Sequence, residues 1–582
     1  RECIRAQGAG DDALREVAIE RVNGNFRAVH LDASTTAQTV RFRYFPDSIR
    51  NGAFATFMAL VSLLMIGGVW VWRARSQREE AHGVRLVARN SLVLTGLNLG
   101  ARVIDMAFAL IMLRALGPAG TGNYTFAVVI VSWFEILMNF GLNTYLIRDA
   151  SRDRTHAFRY FIDTSLLRLA LGAAAAPLIV LVIAVYAASD GISPETQVTL
   201  ALLALSQLPG SLATGLSALF FAYDKAEVPA ALTIVSALIK AAIGAVLLLS
   251  GWGIIGLAIT SIATNLATLV IMTILARRIL RLPFSLAGAP ERKVSRVEIM
   301  REAFPLALNH LLSTIFWRLD VPLLKGLTRN ESAVGYYTAG YKYIDAFNII
   351  PSLFTQALFP TLSRMAGERR DDSATDTPLA RAYVLAVKLL LMLALPLAIG
   401  VSFTAPVLIG VLGGQAFLPQ GAIALAITIW HMPFGWINSV TNYALIAVGQ
   451  QRRLTLAFVG AVAFNLIGNL IFIPRYGYLA AAVITALSEV IQLATFYFYV
   501  RRHITTVSWV KILSRPFLAA GLMAMAIYIL AGAGQLALGL VIGIAIYGMT
   551  LLALEALTPI DLKMLAPLLP ARLRPPEMTS QK

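Results

Sequence analysis

The chain has a single cysteine, Cys3, so it can form neither an internal disulfide nor a cysteine-held metal cluster. Its six histidines are scattered without ligand spacing, and no metal or cofactor is expected. Charge is scarce: Asp, Glu, Lys and Arg make up 14% of the 582 residues against 58% hydrophobic, which excludes an array of soluble domains. What charge there is runs basic, at a formal net +17. In a soluble protein that excess would suggest nucleic acid, so where the basic residues lie decides its meaning.

They lie between apolar runs. Fourteen runs of membrane-spanning length fall between about Asn90 and Leu557, preceded by a further one at Ala53 to Trp72. In the loops after Trp72, Lys and Arg crowd every second connection, while the opposite loops hold only Arg329 and Arg475. This alternation is the positive-inside pattern, so the C-terminus is expected in the cytoplasm and the N-terminal segment outside. The basic excess then reports topology, and nucleic acid is not expected as a partner.

The runs repeat. From Ile243-Gly244 to Gly253 and on to Arg277-Arg278, the spacing matches Ile467-Gly468, Gly477 and Arg501-Arg502 without a gap. Leu113-Arg114 followed by Gly122-Asn-Tyr-Thr125 likewise matches Leu324-Lys325 followed by Gly335-Tyr-Tyr-Thr338. Two six-helix units read as duplicates, and an even number of crossings makes the repeat parallel, as in transporters that rock around a central site. The expected fold is an all-α polytopic membrane protein. Its parts are an outer β-rich segment (1–50), an extra helix (51–75), an N-lobe (85–281), a C-lobe (296–502), two peripheral helices (515–558) and a cytoplasmic tail (559–582).

Eight basic residues fall inside the core spans, where a charge costs at least about 2.5–3.5 kcal/mol and needs a polar cavity or a partner. Arg168, Lys240 and Lys388 lie near cytoplasmic ends and are read as snorkelling. Arg114 and Lys325 end their helices near the outer interface, where snorkelling and cavity lining are both open. Arg102 with Asp105, Arg318 with Asp320 beside Pro322, and Lys342 with Asp345 cluster on the entrance helices of both units, and Glu135 and Glu489 add buried carboxylates. One reading pairs each cation with its neighbouring Asp; the other makes the cations the lining of a water-filled vestibule between the units. Pro209, Pro305, Pro322, Pro351 and Pro433 are candidate bends. Trp430, His431, Trp436, Asn438 and Asn442 offer either sugar contacts or interhelical hydrogen bonds.

Several runs resemble the polysaccharide-biosynthesis flippases of the multidrug/oligosaccharidyl-lipid/polysaccharide (MOP) exporter superfamily. They are Asp320-Val-Pro-Leu-Leu-Lys-Gly-Leu, Val334-Gly-Tyr-Tyr-Thr-Ala-Gly-Tyr-Lys342, Gln356-Ala-Leu-Phe-Pro-Thr-Leu-Ser-Arg364 and Asn465-Leu-Ile-Gly-Asn-Leu-Ile-Phe-Ile-Pro-Arg-Tyr-Gly477. The resemblance covers about Arg85 to Leu557. It implies two six-helix lobes plus two peripheral helices in a bacterial inner membrane, moving a polyprenyl-pyrophosphate-linked oligosaccharide to the outer leaflet, alongside polysaccharide polymerase or assembly machinery. Relatives hold the pyrophosphate with cavity cations, and Arg102 and Arg318 stand at positions like theirs, with Lys342, Arg114 and Lys325 as further candidates. Lys325 departs from the small or apolar residue usual there. Asp105, Asp320, Asp345, Glu135 and Glu489 are candidate acidic partners or coupling sites.

Before the repeat, Val17 to Phe45 alternates polar and apolar residues around Asn23-Gly24, reading as two or three strands of a small outer domain. The stretches Asn23-Gly-Asn-Phe-Arg-Ala-Val-His-Leu31 and Val40-Arg-Phe-Arg-Tyr-Phe-Pro46 resemble the end of a bacterial glycosyltransferase-like membrane protein. Because the chain begins at Arg1 rather than Met, this part reads as a fragment or a gene fusion. Two other functions compete. A drug or cation antiporter would favour twelve spans and acidic coupling sites; a membrane glycosyltransferase or polymerase would need catalytic carboxylates on sizeable loops, and the outer loops after Ala53 are short.

Overall fold

A computed structural model describes residues 4–7, 15–17, 19–22, 26–29, 39–42, 83–188, 191–280, 296–367, 377–558 and 561. The chain divides into two units, Arg1–Asn90 and Ser91–Lys582. In the first, strand β1 (Ile4–Gln7) pairs antiparallel with β2 (Arg15–Val17) and β5 (Thr39–Phe42), and β3 (Ile19–Val22) pairs with β4 (Phe26–Val29). The span expected at Ala53 to Trp72, the Asn23-Gly24 turn and the tail after residue 561 lie outside the described residues.

From residue 83 the described chain is helical. Helix α1 (Gly83–Asn139) is two helices joined across Gly117, whose φ of 66° is open to a residue without Cβ; Pro118 follows, where a missing N–H costs nothing because the new helix is just starting. A second break at Phe140 (φ 40°) and Gly141 (φ 71°) separates α1 from α2 (Leu142–Arg152). Then come α3 (Ala157–Ala188), α4 (Pro194–Ala222), α5 (Glu227–Leu249) and α6 (Gly253–Leu275). The second lobe holds α7 (Arg296–Arg318), α8 (Asp320–Thr328), α9 (Glu331–Phe347), α10 (Ile349–Gly367) and α11 (Pro378–Gly413). It closes with α12 (Gln420–Thr428), α13 (His431–Ala447), α14 (Gln451–Tyr476) and α15 (Tyr478–His503). Finally α16 (Trp509–Gly532) and α17 (Leu536–Ala553) pack on each other, and α16 also on α11.

Eleven stretches among the described residues are long and apolar enough to cross a membrane. The longest, Leu99–Arg152, contains the Gly117 kink and so holds two of the expected spans. The broken pairs α7/α8 and α9/α10 supply the remaining two, which reconciles the helices with fourteen core spans. This is a multi-pass membrane protein with two pseudo-symmetric lobes. Its outward apolar side chains, such as Val180 at 64% and Leu552 at 80% exposed, need lipid rather than water around them.

Proline marks three of the breaks. Pro322, Pro351 and Pro433 each sit in the first turn after an interruption, at Leu319, Asn348 and Ile429-Trp430, where a missing N–H is tolerated. Pro209, by contrast, lies inside continuous α4, and Pro305 falls within α7.

Candidate functional site

The two lobes meet through the repeat's own equivalent residues. A Cβ at Gly122 would strike the Glu331 carbonyl, and a Cβ at Gly335 would strike the Pro118 carbonyl, so the backbones of α1 and α9 touch where only glycine fits. Around that contact, Lys325 is fully buried, its Nζ 2.6 Å from Asn123 Oδ1 and 3.2 Å from Glu331 Oε1. Arg114 Nη2 donates to the Val411 carbonyl at 2.6 Å, and Tyr186 Oη donates to the Pro322 carbonyl at 3.1 Å. Arg114 and Lys325 thus lie in the seam between the lobes, at the ends of their helices. At the other end of the lobes, Leu142 and Tyr145 of α2, with Leu167 of α3, pack on Ile299 and Ala303 of α7. An exposed Arg148–Glu302 pair at 2.5 Å joins the same helices and contributes little on its own.

Between these contacts lies a cavity of about 250 Å³, lined by Arg102 and Asp105 of α1, Tyr124 beyond the kink, Lys240 of α5, and Lys342 and Asp345 of α9. Both lobes contribute. Arg102 reaches across with Nη1 2.9 Å from the Asp345 carbonyl oxygen. The cations do not pair with their neighbours in sequence. Asp105 lies 3.6 Å from Lys240, and Asp345 is held by Arg318 at 3.0 Å, with the guanidinium 4.7 Å above the Tyr341 ring. Asp320 turns away from Arg318 altogether. It accepts from the hydroxyl of Tyr337, from Tyr341 at 3.2 Å and from the Val321 amide at 2.9 Å, within a hydroxyl network that includes Thr485. With both lining carboxylates so engaged, Arg102 and Lys342 remain facing the space.

Snorkelling fails for two of the three lysines and arginines so read. Arg168 is fully buried, giving Nη1 to Asn139 Oδ1 (3.1 Å) and the Ser211 carbonyl (2.6 Å) and Nη2 to Asn143 Oδ1 (2.6 Å). Asn139 and Asn143 flank the Phe140-Gly141 break, so the guanidinium ties the two sides of that interruption together. Lys240 faces the cavity. Lys388 pairs with Asp561 at 2.6 Å, fastening the segment after α17 to α11.

The two buried glutamates differ. Glu489 accepts from Asn438 Nδ2 at 2.7 Å inside the C-lobe, and Trp436 Nε1 donates to Asn348 Oδ1 at 3.0 Å, so those α13 residues join helices. Glu135 lines two further spaces within the N-lobe, of about 250 and 340 Å³, together with Gln207 and Asn265. Those amides and Tyr124 escaped the sequence reading. Their only signal was an amide in mid-span, one of them two residues before Pro209.

Residues 111–421 match the family model described as "Polysaccharide biosynthesis protein". No curated relative matches the chain by sequence. The fold is similar to the lipid II flippase MurJ in an inward closed conformation (TM-score 0.61, 16% identity, covering 79% of this chain and 98% of that one). It is also similar to an inward-facing multidrug resistance MATE family transporter of the MOP superfamily (0.54, 15%, 71% and 97%). A third likeness is to a MOP superfamily transporter from Pyrococcus furiosus (0.51, 13%, 71% and 95%). At these identities the likeness is one of fold.

Proposed function

Since the chain belongs to the polysaccharide biosynthesis protein family, within the MOP superfamily of membrane flippases and transporters, we propose that it carries a polyprenyl-pyrophosphate-linked oligosaccharide from the cytoplasmic to the outer leaflet. The observation that carries this reading is the interlobe cavity with Arg102, Lys240 and Lys342 in its wall. Cations within membrane-spanning helices are costly unless something anionic and hydrated meets them, and for Arg102 and Lys342 a pyrophosphate supplies both the charge and several acceptor oxygens. The lipid tail stays in the bilayer while the head crosses between lobes. Parting the Gly122–Gly335 seam while the α2–α7 contact holds, or the reverse, gives the alternating access a parallel repeat permits. In this reading the N-terminus is outside, the C-terminus cytoplasmic, the membrane a bacterial inner membrane, and a polysaccharide polymerase a neighbour in the assembly.

The test is a deletion strain, whose lipid extract should accumulate a lipid-linked oligosaccharide by mass spectrometry. Wild-type protein should clear it; Arg102→Gln and Lys342→Gln should reach the membrane in normal amount yet leave the lipid in the cytoplasmic leaflet. Normal clearance by the double variant would sink the cationic site.

A further inference from the structure

The cationic cavity does not end at its cations. The N-lobe space of about 250 Å³ shares Tyr124, Val128 and Lys240 with it, and the N-lobe space of about 340 Å³ shares Glu135, Gln207 and Asn265 with the smaller one. A run of linked spaces therefore leads from the seam between lobes into the body of the N-lobe, past Lys240. Together they reach the size range in which small-molecule sites are found, roughly 300–1,000 Å³.

The lining of that run is polar in a way the fold does not need. No described group pairs with the Glu135 carboxylate or the Gln207 amide, and the Thr264 hydroxyl is buried without a partner. Polar groups left open at membrane depth cost stability unless water or a ligand meets them. The chemistry of the lining narrows the ligand. A bare cation wants several oxygens converging, and here one carboxylate stands among amides that also present N–H, with no cluster of three acidic or histidine groups among the described residues. A flat aromatic compound wants rings to stack on, and Tyr124 is the only ring in the lining of the two N-lobe spaces. A sugar offers a donor and an acceptor at nearly every carbon, which suits a carboxylate, two amides and a row of hydroxyls.

We infer that the N-lobe chamber is the glycan subsite: with the pyrophosphate at Arg102 and Lys342, the first sugars pass Lys240 and bind at Glu135, Gln207 and Asn265. The inference rests on the flippase reading. Among the described residues of the C-lobe, Glu489 instead accepts from Asn438, and the space of about 360 Å³ beside α13 and α15 is lined by apolar and aromatic side chains.

Photo-crosslinking in cells with their own substrate separates the two. p-Benzoylphenylalanine replaces Thr214 or Ser261 in the chamber, Met106 in the interlobe cavity, and Leu205 on the lipid-facing side. Sugar-bearing adducts at Thr214 and Ser261 and none at Leu205 support the inference. Adducts at Met106 alone overturn the glycan subsite and leave the flippase reading standing; no sugar-bearing adduct at Met106 either overturns both. As a second measurement, Glu135→Gln and Gln207→Leu should each lower export by about tenfold, the loss expected when a hydrogen bond to ligand goes unmade. Binding of sugar-free undecaprenyl pyrophosphate to the purified variants should match wild type. Equal loss for the sugar-free lipid, or a sodium-dependent stabilisation that Glu135→Gln abolishes without any chamber adduct, would overturn it.

Discussion

In the N-lobe, Glu135 faces open space with no described partner; in the C-lobe, Glu489 accepts from Asn438 at 2.7 Å and packs against Gly435. The same contrast extends outward from each. The C-lobe joins its helices through hydroxyl and amide networks, Asp320 with Tyr337, Tyr341 and Thr485, and Asn465 with Ser488 and Asn469, and its space of about 360 Å³ is lined by apolar and aromatic side chains. The N-lobe leaves linked spaces. The two copies of one unit thus differ in where their carboxylates sit: in the C-lobe they are drawn into hydrogen-bond networks, and in the N-lobe Glu135 stands beside open polar space. Chain duplication gave both lobes one geometry, and side-chain replacement decided which one carries the polar spaces.

Arg168 is where the comparison breaks most sharply, since it gives the N-lobe a buried charge that is held by hydrogen bonds. Arg168→Ala leaves Asn139, Asn143 and the Ser211 carbonyl without their donor, at about 1–3 kcal/mol for each buried group. Little folded protein should survive detergent extraction, as read by size-exclusion profile; a wild-type profile would mean that this clamp carries no stability.

Next in size, the two glutamates should separate on melting temperature. Glu489→Ala removes the carboxylate acceptor of Asn438, whose amide keeps the residue-489 carbonyl at 2.9 Å, and opens a void; together these should cost about 1–3 kcal/mol, while Glu135→Gln should stay within about 0.5 kcal/mol of wild type because nothing described depends on it. Equal losses would erase the contrast between lobes.

Two arginines, Arg102 in the cavity wall and Arg318 behind Asp345, sharpen it further. Arg318→Gln removes the Asp345 pair and the stacking on Tyr341, worth about 1–2 kcal/mol for partly exposed groups; Arg102→Gln gives up a single bond to a backbone carbonyl and should melt near wild type while failing to export. If Arg102→Gln proves the less stable of the two, its guanidinium is structural rather than presented to a ligand.

The smallest effect lies outside the membrane. The Thr155 hydroxyl, and behind it His156, hold the Asp153 carboxyl below its usual range in the turn after α2. A folded-state pKa below the unfolded one stabilises above the ordinary aspartate value of about 3.9, and that contribution fades as pH falls through the lowered folded value. Thr155→Ala should therefore shift the melting temperature slightly at neutral pH and not at all in strong acid. A shift that grows on acidification would contradict the assignment.

Much of the architecture was legible because the bilayer imposes it: spans must be apolar, alternate loops basic, and a duplicated order of Gly and Arg positions survives in the text of the chain. The repeat even pointed to Gly122 and Gly335, which turn out to touch the opposite lobe. The charge partners were not legible. Spacing of three residues along one helix put Arg102 with Asp105 and Lys342 with Asp345, yet helix ends and kinks at Gly117 and Leu319 swing side chains toward other helices, so Lys240 takes Asp105 and Arg318 takes Asp345.

By itself the sequence determined that this chain crosses a membrane many times, that it is built from two related six-helix units, and that cations stand in its spans, because hydropathy, periodicity and residue type are local properties. Only the tertiary structure decided which cations face a cavity and which are clamps or seams, and that the spaces of the N-lobe are polar. Those outcomes depend on groups far apart in the chain: Lys325 meets Asn123 and Arg102 meets Asp345 across the two lobes, at separations no local pattern encodes.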